Sequence, residues 1–180
     1  MRAAALSLAG RGWHVFPLRP GTTEPAVRDW ATRATTNPWR IARCWDSGPF
    51  NVGLVPCASG LWVLDLLPAG PGEKPPAEVR RPGVTDGADA LAVLLDECGA
   101  RLPVETYGVG GPGGRMQYYF THPPQCPPTA PVPTWHVKVR CAGSFVPAAG
   151  SVTAEGAYTP LHDGPVLDAP AWLASPRRRP

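Results

Sequence analysis

Asp65 closes the apolar run Leu61-Trp62-Val63-Leu64 and is followed by Leu66 and Leu67. Side chains alternate along a strand with period two, so an Asp-x-Asp pair would place two carboxylates on one face. A hard divalent cation such as magnesium is held by one or two carboxylates together with substrate phosphates and water, the equipment of metal-dependent nucleotide transfer. Here the second position of that pattern is Leu67, a hydrocarbon. The residues leave three readings: a metal site, a damaged metal site, or a buried acid with no chemistry.

A second cluster with chemical capacity is Gly108-Val109-Gly110-Gly111-Pro112-Gly113-Gly114, followed by Arg115. Its spacing satisfies Gly-x-Gly-x-x-Gly, but a dinucleotide loop must open a helix whose N-terminus faces the pyrophosphate. The next residues, Met116-Gln117-Tyr118-Tyr119-Phe120, have a strand pattern instead, so the dinucleotide reading fails. A glycine loop between strands still brings backbone N–H groups near a phosphate, with Arg115 as a charged clamp; the alternative is a plain hairpin tip. The five cysteines and four histidines are scattered, with no Cys-x-x-Cys pair, and indicate neither a zinc knuckle nor a disulfide framework. A reducing cytoplasm is the default expectation.

The elements that must position these residues are readable in part. Residues 2 to 9 read as a helix stopped by Gly10, because Gly10-Arg11-Gly12 breaks the apolar run too early for a secretory leader. Trp13 to Leu18 reads as a strand. Asn37 is placed to cap a helix with Pro38 at its first position and Ile41 and Trp45 on its buried face. Asn51–Val55 and Leu61–Asp65 are two apolar runs separated by Pro56-Cys57-Ala58-Ser59-Gly60, a hairpin signature. A proline- and glycine-rich loop from 68 to 83 precedes a helix from Ala88 to Cys98, capped by Thr85 or Asp86 and stopped by Gly99. Glu105-Thr106-Tyr107 and Met116–Phe120 form a further hairpin around the glycine loop. A proline-rich spacer from 123 to 133 leads to a strand from Trp135 to Arg140, and residues 169 to 174 read as a last short helix before the basic tail Arg177-Arg178-Arg179. Strands and helices do not alternate regularly, which points to an α+β fold, a mixed sheet with packed helices. One domain over residues 1–172, with 173–180 as a flexible tail, is the expected organisation.

Composition narrows the function classes. With 25 prolines and 20 glycines but 43% apolar residues and seven tryptophans, the 180-residue chain should fold around a full core with long loops. No apolar stretch approaches the length of a membrane span. Of 17 basic residues only Lys74 and Lys138 are lysine, most plainly a consequence of GC-rich coding. Net charge is only +3, yet Arg2, Arg11, Arg19, Arg28, Arg33, Arg40 and Arg43 face only Glu24, Asp29 and Asp46 in the first fifty residues. Such a surface suits phosphate tracking or plain solvation.

Taken in order, Gly12–Leu18, Pro25-Ala26, Asp29-Trp30-Ala31-Thr32, Asn51-Val52-Gly53-Leu54 and Ser59–Asp65 resemble the bifunctional DNA primase/polymerase N-terminal domain of the archaeo-eukaryotic primase superfamily. Gly113-Gly114-Arg115 to Phe120, Val139-Arg140, Gly143–Ala148 and Ser151 continue the resemblance, which covers about residues 3 to 172. It implies a core related to the RNA-recognition-motif fold that extends nucleic acid strands from nucleoside triphosphates with two metal ions. The family holds those ions with an Asp-x-Asp pair and a later Asp, and a His after the glycine loop contacts the incoming phosphates.

Carried over residue by residue, the chemistry fails. Asp65 remains as the residual catalytic and metal position, Leu67 replaces its partner acid, Gln117 stands at the His, Lys138 stands at the later Asp, and Glu24 replaces a common Lys before Pro-Ala. An ammonium at Lys138 would repel a divalent ion by a few kcal/mol at an effective dielectric of about 20. Lys138 is therefore expected to pair with Asp65 as an internal substitute for the metal's charge.

The expectation is a pseudoenzyme of the DNA replication class that binds nucleotide or single-stranded DNA through Gly113, Gly114, Arg115, Gln117 and Arg140. No cofactor is expected, with magnesium or manganese only if catalysis persists. The alternatives are an active primase/polymerase with relocated ligands such as Glu73, Asp86 or Glu105, and a scaffold for a protein partner.

Overall fold

The computed structural model describes residues 1–122 and 134–174. The proline-rich spacer and the arginine tail lie outside these residues.

Short local signals set the helices. α1 (Arg2–Gly10) buries Ala5, Leu8 and Ala9. α2 (Trp30–Arg33) is a single turn that no sequence pattern marks. In α3 (Pro38–Asp46) the Asn37 side chain accepts from the N–H groups of Trp39 and Arg40, Pro38 fills the first position where no N–H is needed, and Ile41 and Trp45 are buried. α4 (Gly87–Glu97) is capped by Asp86, which accepts from Ala88 and Asp89. Past its end Gly99 takes φ +59°, the left-handed conformation that glycine adopts without steric cost. A last turn, α5, spans Ala171–Ala174.

The strands form two main sheets. β1 (Val15–Leu18), β2 (Asn51–Leu54) and β7 (Val146–Pro147) make a small antiparallel sheet in the order β1-β2-β7. The larger sheet runs β10 (Thr159–His162), β4 (Gly108–Gly110), β5 (Met116–Thr121), β3 (Leu61–Leu66), β6 (Val137–Arg140). β11 (Leu167–Asp168) adds parallel to the far end of β5, so the sheet is mixed, as expected. β8 (Val152–Thr153) and β9 (Gly156–Ala157) form a separate small hairpin.

The expected hairpin between Asn51–Val55 and Leu61–Asp65 does not form. β2 pairs with β1 and β7, whereas β3 pairs with β5 and β6. Residues Cys57–Ser59 make a 3-10 turn and Gly60 takes φ +67°, which redirects the chain from one sheet into the other. The apolar runs look like partners because both are buried throughout; each is enclosed by a different sheet. The glycine-loop hairpin does form, but its first strand is Gly108–Gly110 rather than Glu105–Tyr107.

β3 is the centre of the molecule, buried along its whole length between β5 and β6. One face presents Trp62, Leu64 and Leu66, which pack with Tyr118, Phe120 and Val137 against Leu91 and Leu95 of α4. The other face presents Val63, which joins Val109, Tyr107 and Tyr119 in a core with α1, α3 and the small sheet. Asp65 belongs to this second face, at the strand's far end. Among the described residues no helix is long and apolar enough to cross a membrane.

Candidate functional site

Sheet register places the ionisable residues. The direct neighbours of Asp65 are Gln117 on β5 and Lys138 on β6. Directly opposed residues project to the same side of a sheet, and steps of two residues stay on that side. Arg115, two residues before Gln117, and Arg140, two residues after Lys138, therefore share the face of Asp65.

The Asp65 carboxylate is fully buried and is held by both arginines. Arg115 binds it in a two-pronged fork, Nε–H to Oδ1 at 2.7 Å and Nη2–H to Oδ2 at 2.6 Å. Arg140 donates Nε–H to Oδ2 at 2.8 Å. Charge-assisted bonds of this length, two of them parallel, are the strong class of protein hydrogen bond. Burial disfavours the charged form of Arg115, but the hydrogen bonds and charge of Asp65 outweigh it and raise the pKa, so the guanidinium stays ionised.

The expected Lys138–Asp65 pair is thus corrected. Register puts Lys138 on the right face, yet its side chain is exposed and both carboxylate oxygens are taken by guanidinium groups. The difference is one of reach and shape: a planar fork from a neighbouring rung matches the two carboxylate oxygens, whereas an ammonium is a hydrated point charge that gains more from water.

Gln117 lies at the base of this network and is fully buried. Its Oε1 accepts from the Tyr119 hydroxyl at 3.1 Å, while its Nε2 has no partner among the described residues. Burial raises the Tyr119 phenol well above its usual pKa, so it remains a donor. A buried amide N–H without a partner costs about 1–3 kcal/mol.

The glycine loop orients Arg115. Gly113 and Gly114 take φ +68° and +87° in the turn that ends at Arg115. Gly111 donates its N–H to the Arg115 carbonyl at 2.7 Å, and a Cβ at position 111 would meet the Tyr158 ring at 2.8 Å. Tyr158 in turn accepts from Arg115 Nη1 at 3.4 Å. Sequence reasoning missed Tyr158, which stands 43 residues from Arg115 with no local motif to mark it.

Position 67 serves the backbone. The Leu67 N–H donates to the His136 carbonyl at 2.8 Å and its carbonyl accepts from Gly87 N–H at 3.0 Å, which ties the end of β3 to the start of α4. A Cβ on Gly87 would lie 2.3 Å from the His136 oxygen, so glycine is required at this approach.

These residues do not fit a pair of divalent ions. Both oxygens of the one carboxylate accept from guanidinium groups, and Leu67, Gln117 and Lys138 bring a hydrocarbon, an amide and a cation, none of which supplies the negative charge a pair of divalent ions needs. The acids considered as replacements are engaged or remote in role. Glu73 accepts from Gly70 N–H and contacts His136 Nε2 at 2.7 Å, Asp86 caps α4, and Glu105 is exposed. Among the described residues no three His, Cys, Asp or Glu side chains converge to hold a metal. What the arrangement can do is present positive charge: one carboxylate faces Arg115, Arg140 and Lys138.

The family model described as "Bifunctional DNA primase/polymerase, N-terminal" matches residues 5–172. No curated protein matches the chain at a significant level.

Proposed function

Since the chain belongs to the bifunctional DNA primase/polymerase N-terminal family, we propose that it is a primase/polymerase-like domain whose metal centre has been replaced by the Asp65–Arg115–Arg140 network. It binds nucleotide phosphates or single-stranded nucleic acid and does not transfer nucleotides. The observation that supports this reading is the engagement of both Asp65 oxygens by two guanidinium groups.

The chemistry is set by the charges. In a two-metal enzyme the cations neutralise the triphosphate and activate the attacking hydroxyl. Guanidinium groups perform the first task and not the second, because they bind phosphate by paired N–H donors but cannot lower the pKa of a hydroxyl by coordination. Arg140 gives its Nε–H to Asp65, and a guanidinium carries five N–H donors, so four remain to meet another acceptor. Together with exposed Lys138 they form a site for an anionic group. Asp65 fixes the arginines in place, a positioning role.

Cys44, Cys57 and Cys98 are thiols, consistent with a reducing compartment, and the cytoplasm is proposed on that ground.

The test is incorporation of labelled nucleotide with magnesium or manganese on a primed and an unprimed template. The reading expects none, together with nucleotide binding that Arg140→Ala weakens. Incorporation abolished by Asp65→Ala would overturn it.

A further inference from the structure

Trp39 is the largest exposed apolar side chain among the described residues, with 84% of its surface open to solvent. It stands in the first turn of α3, whose other face is buried through Ile41 and Trp45. Residues four apart on a helix lie one above the other, so Arg43 is the neighbour of Trp39 on the exposed face, and Arg40 and Arg43, three apart, adjoin as well. Arg40 turns toward the carbonyl of Arg33 at the end of α2, at 3.5 Å. Arg2 of α1 joins these residues in lining a shallow groove of about 820 Å³.

The charges of this groove are unbalanced. Its one acid, Asp46, is paired with Arg2 at 3.1 Å. Among the described residues, neither Arg40 nor Arg43 has a carboxylate within ion-pair distance. An exposed indole that lines the same groove as two uncompensated guanidinium groups offers a flat π-face and two phosphate donors on one helix. Alternation of ring and phosphate is the repeat of a single nucleic acid strand, in which the bases are free to stack outward.

We propose that the Trp39–Arg40–Arg43 face of α3 is a stacking platform for single-stranded nucleic acid, separate from the Asp65 network. A base stacks on the Trp39 indole, and Arg40 and Arg43 hold the adjoining phosphates. The inference rests on the reading of this domain as one that binds nucleic acid, and it names residues that neither the family resemblance nor the Asp65 site singles out. A duplex is a poor occupant, since its bases are already stacked and paired.

The experiment is fluorescence anisotropy with a fluorescein-labelled oligothymidylate, alongside calorimetric titration with a deoxynucleoside triphosphate. Trp39→Ala should weaken oligonucleotide binding about tenfold, the effect of one lost stacking contact. Trp39→Phe should retain most of it, and Arg43→Gln should lower the salt dependence by about 0.7 in slope. All three variants should bind triphosphate as wild type does. Because Trp39 is exposed, its replacement removes no core packing, and circular dichroism should be unchanged. Wild-type oligonucleotide affinity in Trp39→Ala would overturn the platform while leaving the Asp65 reading intact. Trp39-dependent oligonucleotide binding without triphosphate binding would sustain the platform and overturn the nucleotide-binding half of the Asp65 reading. Absence of oligonucleotide binding by wild type would overturn the platform.

Discussion

The two faces of β3 are built from alternate residues of one six-residue strand, yet they hold together by different physics. Trp62, Leu64 and Leu66 face α4 in a hydrocarbon core. On the other face Val63 is followed by Asp65, a buried carboxylate locked between two arginines. Apolar burial is non-directional and tolerates repacking, whereas a buried ion network holds only while every partner is present. The lesson is that one strand can carry a hydrocarbon face and an ionic face side by side, each held by its own set of neighbours.

That contrast can be broken from either side, and the largest effects should come from deletions. Phe120→Ala and Trp62→Ala, both buried against the α4 layer, should each cost about 3–5 kcal/mol in urea unfolding. Asp65→Ala should cost about as much, about 3–5 kcal/mol, because it strands two largely buried guanidinium groups. The two faces part company in the rescue. Replacing the whole network by hydrocarbons, as Asp65→Leu with Arg115→Met and Arg140→Met, should recover most of the stability lost in Asp65→Ala, while no second substitution of that kind refills a deleted Trp62. A triple variant less stable than Asp65→Ala would mean that the network is net stabilising.

A smaller effect sharpens the correction made to the network itself. Lys138→Ala should leave the unfolding midpoint at the wild-type value, since Lys138 is exposed and Asp65 is already satisfied. A clear loss would restore Lys138 as the partner of Asp65.

The smallest effect is a pH dependence on the α4 side. The Asp89 carboxyl is held below its ordinary pKa by hydrogen bonds from the Thr85 N–H and hydroxyl. A depressed carboxyl contributes stability that is present above the unfolded value of about 3.9 and is lost as pH falls through the lower folded value. Acid titration followed by amide exchange in the first turn of α4 should therefore show protection falling only in that acid range, and Asp89→Asn should remove the step.

How far all this could be read from the chain depends on the range of the interactions. The caps at Asn37 and Asp86 are legible because the side chain and the N–H groups it satisfies lie within three residues. The pairing of Asn51–Leu54 with Leu61–Leu66 misleads because proximity in sequence and shared apolar character suggest a hairpin, and nothing local reveals that Gly60 turns the chain into a second sheet. At the site, Asp65, Arg115, Gln117 and Arg140 are each identifiable, and Lys138 lies directly opposite Asp65 without pairing with it. What sequence could not supply is the reach of two arginines from adjacent rungs, 50 and 75 residues away, onto the same carboxylate.

The central claim is that guanidinium groups stand where metal ions would act. Calorimetric titration of the purified domain with a deoxynucleoside triphosphate, once with magnesium and once with EDTA, tests it most directly. Binding that survives EDTA and is weakened by Arg140→Ala is the predicted result. Binding that requires magnesium and is abolished by Asp65→Ala in a folded variant would contradict it.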